Sequence, residues 1–293
     1  MTTITGTIIN DCADDNARVR QELRFQSLFG VKPTFLGVGS YLPVEAAGNL
    51  LDTLDVFANF PLADANSQNI VLVNVAPRHR SEQSAWDNGT PFCYFWQGKT
   101  LVVSTYEGET LALLRNLGVV QEVHLLDTQT VTAAAVEWGD LTPAEANKIN
   151  NSQFRSLEFT PLVAYWLWKG RTVPARLQTL QDLPSVKAAV WLVDNFDDVK
   201  TTLLPQDVQF AEGRQVRLAN GRIATCYRRL VDVPAGVTAL TVGSSGYGQH
   251  RFLEVVIGHC GRASKVHRLK VGGPVLQADA KGGTRFVNTS VNR

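Results

Sequence analysis

The sequence predicts two domains: an α/β domain with a mainly parallel sheet over residues 1–182, and an antiparallel β-barrel-like domain over residues 183–293. Three observations predict this class. A chain of 293 residues is long for one hydrophobic core and sufficient for two. Strand-like and helix-like patterns alternate up to Lys169, as in β-α-β units. Beyond Pro184 the pattern consists of short β-type runs between turn residues, which is typical of an antiparallel barrel or sandwich.

Composition and charge disfavour several classes of function. Hydrophobic residues make up 44% of the chain and charged residues 19%, as in a globular protein. The formal net charge of +1 gives no general attraction for nucleic acid or for an anionic membrane. No apolar run is long enough to cross a bilayer, and the first residues do not resemble a signal peptide. We therefore expect a cytoplasmic protein without nucleic-acid or membrane partners.

The spacing of cysteine and histidine residues predicts neither a metal site nor a disulfide framework. The four cysteines are Cys12, Cys93, Cys226 and Cys260. They lie far apart and include no Cys-x-x-Cys pair, so we expect buried free thiols. His259, Cys260 and His267 form a loose cluster, but their spacing matches no metal-binding motif.

The first domain alternates strands and helices. Strands are predicted over residues 3–9, 34–38, 69–75 and 121–126, with a hairpin over residues 92–96 and 100–104. Helices are predicted over residues 17–29, 44–60, 108–117, 141–151 and 154–169. The first helix has Val19, Leu23 and Leu28 as its apolar stripe. The last helix is rich in aromatic residues, which is typical of a core or subunit-interface helix. Residues 171–184 are then predicted to connect the two domains.

An acidic residue follows the first predicted strand. Asp11 lies at the carboxyl end of this strand, where an open α/β sheet forms its ligand crevice. It is therefore a candidate to hold a ribose or an ammonium group. The alternative is that the acidic loop residues cap the following helix. Asp14 is one such residue, and Asp15 and Asn16 fit the capping role better than a ligand role.

Basic residues follow the buried strand over residues 69–75. Arg78, His79 and Arg80 come directly after its end and precede a polar segment up to residue 90. Their position makes them candidate site residues by the same argument about strand ends. The alternative is a solvated basic loop, because nothing in the spacing requires these side chains to converge.

The second domain begins with an apolar run that ends in carboxylates. Residues 190–193 read as a buried strand, and the cluster of Asp194, Asp197 and Asp198 follows around Phe196. Carboxylates beside an aromatic ring could hold a cationic, ring-bearing small molecule, with the carboxylates binding an ammonium group. The alternative is an ordinary Asp-rich turn. Further β-type runs are predicted over residues 208–210, 215–218, 222–230, 238–242, 252–257 and 271–276, before a polar tail over residues 278–293.

The order of these motifs resembles the family of S-adenosylmethionine hydroxide adenosyltransferases and the related fluorinases and chlorinases. That family has the pattern Ile-Asp-x-Phe-Gly-Asn-x-x-Thr-Asn-Ile where this chain has residues 193–203, and Asp194, Phe196 and Thr201 match it. The resemblance implies that Asp194 binds the methionine ammonium and that Phe196 lines the adenine pocket. Asp198 stands where the family has an asparagine that contacts adenine.

Two further stretches carry the resemblance. The segment Ser244-Ser245-Gly246-Tyr247 is similar to the family's Asn-Ser-x-Gly-Tyr, which implies that Ser244 holds the methionine carboxylate, with Arg251 as an additional candidate. Residues 10–13 stand where the family has Thr-Asp-Phe-Gly, and Asp11 is retained there. The resemblance implies that Asp11 binds the ribose hydroxyls.

The chain departs from the family where water is activated. The family's Val-Val-Asp-Pro-Gly-Val-Gly becomes a segment in which Ala76 replaces the aspartate, and its Phe-His-Gly-Arg-Asp becomes one in which Phe154 replaces the histidine. Arg78, His79 and Arg80 are the candidate catalytic replacements. Loss of a general base lowers the rate by about a hundredfold or more.

The resemblance implies an enzyme in which water displaces methionine from the 5′ carbon of S-adenosylmethionine, giving adenosine and methionine. It implies no cofactor or metal besides this adenosyl ligand, and a homotrimer with sites between subunits. Two alternatives remain open: a non-catalytic relative that binds adenosine or S-adenosylmethionine, and a structural trimer with a decayed site, assembled through the aromatic helix.

Overall fold

A computed structural model of the chain describes residues 3–59, 67–75, 90–183, 186 and 188–277. The chain divides into two compact units, Met1–Pro184 and Ser185–Arg293. Each unit has its own sheet and its own hydrophobic core. Among the described residues, no helix has the length and apolar character that crossing a membrane requires.

The first unit is built on a seven-stranded mixed sheet. Its strands are β1 (Thr3–Asn10), β2 (Thr34–Gly37), β3 (Ser67–Asn74), β4 (Phe92–Gln97), β5 (Thr100–Thr105), β6 (Glu122–Leu126) and β7 (Arg176–Thr179). The spatial order is β2-β1-β3-β5-β4-β6-β7. Strands β2, β1, β3 and β5 pair in parallel, whereas β5-β4, β4-β6 and β6-β7 pair antiparallel.

The prediction of a mainly parallel sheet therefore describes half of this sheet and is wrong for the other half. The predicted hairpin explains the change of direction. Gly98 adopts a left-handed φ of 56° between β4 and β5, and the tight turn makes β4 antiparallel to its neighbour. Strand β7 lies in residues predicted to be a connection, and it pairs antiparallel with β6 at the sheet edge.

Helices cover both faces of this sheet. They are α1 (Asp15–Phe29), α2 (Pro43–Asn59), α3 (Gly108–Asn116), α4 (Thr128–Glu137), α5 (Pro143–Asn150), α6 (Arg155–Glu158) and α7 (Thr160–Trp168). One core joins α1, α4, α5 and α7 to residues of β1, β3, β4 and β5 such as Ile8, Leu72, Tyr94 and Leu101. Helices α2 and α3 pack against each other, and α2 contacts β1 and β3. The sequence did not predict α4.

The buried face of α1 is not the predicted apolar stripe. Val19 and Leu23 are 50% and 59% exposed, whereas Phe25 and Phe29 are buried. Phe25 packs directly over Gly6 of β1, because a Cβ at Gly6 would lie 2.3 Å from its ring. The missing side chain thus sets the rotation of the helix. Asp14 caps α1 by accepting a hydrogen bond from the Ala17 amide, so the cap is neither Asp15 nor Asn16.

The predicted helix over residues 154–169 is two helices that meet at Phe159. Pro161 has no amide hydrogen to donate to the preceding turn, so a single continuous helix would lose a hydrogen bond at this position. The aromatic residues of α7 belong to the core: Trp166 is buried and meets Trp138 edge to face, with ring centroids 5.8 Å apart. The aromatic helix is thus a core element of the first unit.

The second unit has a six-stranded sheet with the order β10-β11-β12-β13-β9-β8. Its strands are β8 (Val190–Val193), β9 (Val199–Thr201), β10 (Gln215–Arg217), β11 (Ile223–Tyr227), β12 (Thr238–Tyr247) and β13 (His250–Ile257), and α8 (Ala263–His267) follows them. All neighbouring pairs are antiparallel except β11-β12, which is parallel. The core consists of inward-facing residues such as Val199, Val216, Leu240 and Leu253.

The prediction of a barrel is only partly correct, because the strands form an open sheet. The segment 272–277 hydrogen-bonds to both edges: Gly272 donates to the Val190 carbonyl, and Ala219 donates to the Val275 carbonyl, each at 2.9 Å. It was predicted as a strand but forms isolated bridges, since Pro274 cannot donate to a ladder. The strand predicted over residues 208–210 is wrong, because Pro205–Val208 is a 3-10 helix. The tail over residues 278–293 lies outside the described residues.

Candidate functional site

The acidic loop, residues 194–198, connects β8 to β9 and is a tight turn held by its own first side chain. The Asp194 Oδ1 atom accepts hydrogen bonds from the amides of Phe196 at 2.9 Å and Asp198 at 3.0 Å. The Asp194 amide donates to the Asp198 carbonyl, and the Asp197 amide donates to the Asp194 carbonyl, each at 3.0 Å. One carboxylate oxygen of Asp194 therefore stabilises the turn, as the alternative of an Asp-rich turn predicts.

Phe196 lies at the tip of this loop, and the residue is 66% exposed. Its backbone is held from outside the loop as well, because the Arg262 amide donates to the Phe196 carbonyl at 3.1 Å. The Ser264 amide donates to the Asp197 carbonyl at 2.9 Å. Gly261 allows this close approach, since a Cβ there would lie 2.8 Å from the Phe196 carbonyl oxygen. The ring is thus presented to solvent by a fixed backbone.

Asp198 lies at the base of the loop, where its ionised form is disfavoured. Its Oδ1 atom is buried and has no hydrogen-bond partner within the described residues. Burial, together with the negative charges of Asp194 and Glu254, raises the pKa of Asp198 to about 6, against the opposing charge of Lys200. A cation bound here would relieve this repulsion and stabilise the ionised carboxylate.

Lys200 connects the acidic loop to the neighbouring strands. Its Nζ atom lies 2.8 Å from Glu254 Oε1 on β13 and 3.2 Å from the Ser245 hydroxyl on β12. Both side chains of the ion pair are largely buried, so the charge of Lys200 is balanced mainly by Glu254. Because Lys200 is paired with Glu254, it offsets only part of the negative charge around Asp198, whose pKa stays raised.

Ser244 and Arg251 lie at the irregular part of the β12-β13 pair. Ser244 is exposed within a register shift between Val242 and Gly246. The Arg251 guanidinium donates to the Ser244 carbonyl at 3.1 Å. The neighbouring Ser245 is the serine that reaches Lys200. Ser244 and Arg251 are thus brought together. Ser244 also precedes Ser245, which contacts Lys200.

Asp11 lies in the first unit at the carboxyl ends of the parallel strands. Its amide donates to the Asn74 carbonyl at 3.1 Å, and its Oδ2 atom accepts from the Tyr41 amide at 3.3 Å. Strand β1 lies between β2 and β3, and the chain leaves β1 for β2 and then crosses to β3. This is a topological switch point, the place where open α/β sheets form ligand crevices.

A buried amide network supports the loop that carries Asp11. The side-chain nitrogen of Asn10 donates to Gln21 Oε1, and the Asn10 oxygen accepts from the Cys12 amide at 2.8 Å and from the Asn74 side chain at 3.2 Å. The Gln21 nitrogen donates to the Cys12 carbonyl at 3.2 Å. Helix α1 and strands β1 and β3 therefore fix the Asp11 loop together.

Sequence reasoning did not identify Tyr41, which lies beside Asp11. Tyr41 is exposed and has a left-handed φ of 50°, a conformation that is strained for a residue with a side chain. Partial desolvation raises the pKa of Tyr41, and the negative charges of Glu107 and Glu109 raise it further. The only sequence signal was an aromatic residue two positions after the glycine that follows β2.

The positions that differ from the resembled family lie partly outside the described residues. Ala76 and the candidates Arg78, His79 and Arg80 belong to residues that the structure does not describe. Phe154 is described, and the Arg20 guanidinium lies 5.2 Å from the centre of its ring. Arg155 donates to the Thr90 carbonyl at 3.0 Å, and burial lowers its pKa.

The described residues hold no group of three or more His, Cys, Asp or Glu side chains arranged to bind a metal ion. None of the four cysteines is in a disulfide, and Cys260 is exposed. His267 is buried. Its Nδ1 atom accepts from the Asn220 amide at 3.2 Å and its Nε2 atom lies 3.0 Å from the Thr238 hydroxyl. This histidine therefore has a structural role between α8 and β12.

No protein-family model and no curated protein matches the sequence. Solved structures do match the fold. An uncharacterized conserved protein from Thermotoga maritima aligns with a TM-score of 0.62 at 16% identity, over 91% of this chain and 97% of that one. A conserved hypothetical protein from Thermus thermophilus aligns with a TM-score of 0.55 at 17% identity, over 92% and 97% of the two chains. The likeness spans nearly the whole chain, and at these identities it is a likeness of fold.

Proposed function

We propose that the protein binds S-adenosylmethionine and cleaves it at the 5′ carbon, with water as the nucleophile and adenosine and methionine as products. The observation that carries this proposal is the acidic loop. It holds the exposed side chain of Phe196 on a fixed backbone beside Asp194 and beside the Asp198 Oδ1 atom, which has no hydrogen-bond partner among the described residues. A ligand with both a positive charge and an aromatic ring satisfies these groups together.

Each candidate residue has a role in this proposal. The ammonium of the ligand binds the carboxylates of Asp194 and Asp198, and its adenine ring stacks on Phe196. Ser244 with Arg251 holds the methionine carboxylate, and Asp11 of the first unit is a separate candidate for binding ribose hydroxyls. These roles for Asp11 and Ser244 rest on the family resemblance.

The proposed reaction requires alignment more than acid catalysis. The water oxygen forms a bond to the 5′ carbon as the bond from that carbon to sulfur breaks, and the electron pair moves to the sulfonium. The leaving methionine is then a neutral thioether, and the attacking water loses one proton to a base or to solvent. Because the leaving group already carries the positive charge, positioning and exclusion of bulk water supply most of the rate. Arg78, His79 and Arg80 are the candidates to orient the water or accept its proton.

The test is incubation of the purified protein with S-adenosylmethionine, followed by chromatography for adenosine and methionine. Release of both products in equal amounts is the expected result. Asp194→Asn is the matched variant, because an asparagine oxygen can still accept both loop hydrogen bonds while the charge is lost. We expect this variant to bind S-adenosylmethionine at least tenfold more weakly, the loss typical of one charge-assisted hydrogen bond. No turnover over hours would rule out the cleavage reaction.

A second candidate function is binding without cleavage, and one observation favours it. Phe154 stands where the resembled family has a water-activating histidine, and its ring is covered by Arg20. Calorimetric titration with adenosine and with S-adenosylmethionine separates the two functions. Binding without product formation supports a ligand-sensing protein, whereas no heat with either compound leaves a structural role with a decayed site.

Phe196→Ala tests the role of the ring. Leu230→Ala is its control, since Leu230 is an apolar side chain of the same unit that is also exposed. The proposal expects the first variant to weaken adenosine binding by about fivefold or more, as for loss of one stacking contact, and the second to leave it unchanged. The homotrimer that the resemblance implies is also part of the proposal. A monomer in light scattering would contradict that assembly.

A further inference from the structure

We propose that Lys265 is a positioning residue that holds the acidic loop in its ligand-binding shape through an ion pair with Asp197. The inference concerns the site of the proposed function and rests on it for the identity of the ligand, whereas the geometry of the loop is independent of any ligand.

The backbone at Asp197 is held by contacts from within the loop and from the segment around Lys265. Asp197 has a left-handed φ of 62°, which is uncommon for a residue with a side chain. Both oxygens of its carboxylate have partners in the neighbouring segment: the Lys265 Nζ atom lies 2.6 Å from Oδ2, and the Ser264 hydroxyl lies 3.4 Å from Oδ1. The hydrogen bond from Lys265 lowers the pKa of Asp197, so the pair stays ionised. Asp197 is thus a structural acid within a loop of candidate binding acids.

This ion pair connects two segments that are far apart in the sequence. Residues 262–265 contact the loop through the Arg262 amide, the Ser264 amide and the Lys265 side chain, and all of these contacts fall on Phe196 or Asp197. The two main-chain bonds fix the distance between the segments. The Lys265 side chain adds a contact to the Asp197 carboxylate and thereby opposes rotation of the Asp197 φ out of the left-handed region. The direction of the Phe196 ring depends on that rotation, because the two residues are adjacent.

Charge alone predicts the opposite effect of removing Lys265. The lysine is 71% exposed, and a positive charge near the loop disfavours a cationic ligand. If Lys265 acted through charge only, Lys265→Gln would strengthen the binding of S-adenosylmethionine. If it positions the loop, the same variant weakens binding although the site becomes more negative. The sign of the change therefore separates the two roles.

The experiment compares wild type, Lys265→Gln, Lys265→Arg and the control Lys270→Gln, which removes one exposed lysine of the same unit. Hydrogen exchange of the Phe196 and Asp198 amides reports the loop without a ligand, and calorimetric titration with S-adenosylmethionine reports the site. We expect Lys265→Gln to exchange these amides about two- to fivefold faster and to bind about two- to fivefold more weakly, within the range for an exposed ion pair. Lys265→Arg restores both values, and Lys270→Gln changes neither exchange rate.

The outcomes keep the two proposals distinguishable. Unchanged exchange in Lys265→Gln overturns the positioning role whatever the ligand does. Stronger binding by Lys265→Gln also overturns it, since that is the result for charge alone. If wild type does not bind S-adenosylmethionine, the proposed function fails, and the exchange rates still decide whether Lys265 positions the loop.

Discussion

Replacing Gly261 by alanine tests whether the segment before α8 holds the acidic loop in place. Gly261 has a φ of 59°, and an alanine in this left-handed region costs about 1–2 kcal/mol. The new Cβ would also lie 2.8 Å from the Phe196 carbonyl oxygen, which accepts a hydrogen bond from the Arg262 amide. Moving that oxygen weakens a hydrogen bond that contributes about 0.5–1.5 kcal/mol. We expect Gly261→Ala to lower the free energy of unfolding by about 2–3 kcal/mol.

Gly213→Ala is the control for this prediction. Gly213 has a φ of 77°, and no atom of the described residues lies within 4 Å of a Cβ at that position, so this variant carries the conformational cost without the collision. Urea unfolding followed by circular dichroism gives the two free energies, and hydrogen exchange assigns each change to residues of the second unit. Gly261→Ala should be the less stable variant by about 1 kcal/mol and should exchange the loop amides faster. Equal stability of the two variants would refute the argument that Gly261 is needed for contact with Phe196.

Three further predictions concern pH and packing. Burial, together with the charge of Arg222, lowers the pKa of His267, so its stabilising contribution is full above the unfolded pKa of about 6.5 and is lost as the pH falls. Urea midpoints at pH 7.5 and pH 5 should therefore differ less in His267→Gln than in wild type. The pKa of Asp198 is raised to about 6, so stability decreases as the pH rises through that value, and Asp198→Asn should be more stable than wild type at pH 7.5. The affinity for S-adenosylmethionine should fall below pH 6 in wild type and stay flat in this variant, as calorimetry at pH 5 and pH 7.5 can show. Gly6→Ala places a Cβ 2.3 Å from the Phe25 ring and should cost about 1–3 kcal/mol in urea unfolding, of which an added Phe25→Leu change recovers part.

Much of the first unit could be predicted because its strands and helices carry local signals. Strand β3 and helix α5 begin and end within two residues of their predicted limits. Strand pairing has no such local signal. Strand β7 has the sequence Arg-Leu-Gln-Thr, which shows no β pattern, and it forms because its main chain pairs with β6. The rotation of α1 likewise depends on Gly6, a residue of another element.

The residues of the candidate site likewise fall into those with a local sequence signal and those without one. Asp194 and Phe196 could be identified from the sequence, because a strand that ends in aspartates around an aromatic ring is a local pattern. The contacts that give the loop its shape and charge could not. Lys265 follows Asp197 by 68 positions, and Glu254 follows Lys200 by 54. No periodicity reports such pairs.

The acidic loop combines two energetically unfavourable features. A phenylalanine that is 66% exposed forgoes about 1–2 kcal/mol of burial, and the raised pKa of Asp198 means that its charge is disfavoured in the folded state. Exposure alone is ordinary: Val231 is 72% exposed, and an isolated exposed apolar residue requires no functional explanation. At the acidic loop, however, the ring and the strained carboxylate lie two residues apart on a backbone held from both sides. Energetically unfavourable features that occur together on a well-held backbone are typical of binding sites. A cation with an aromatic ring, bound at this loop, would remove both penalties.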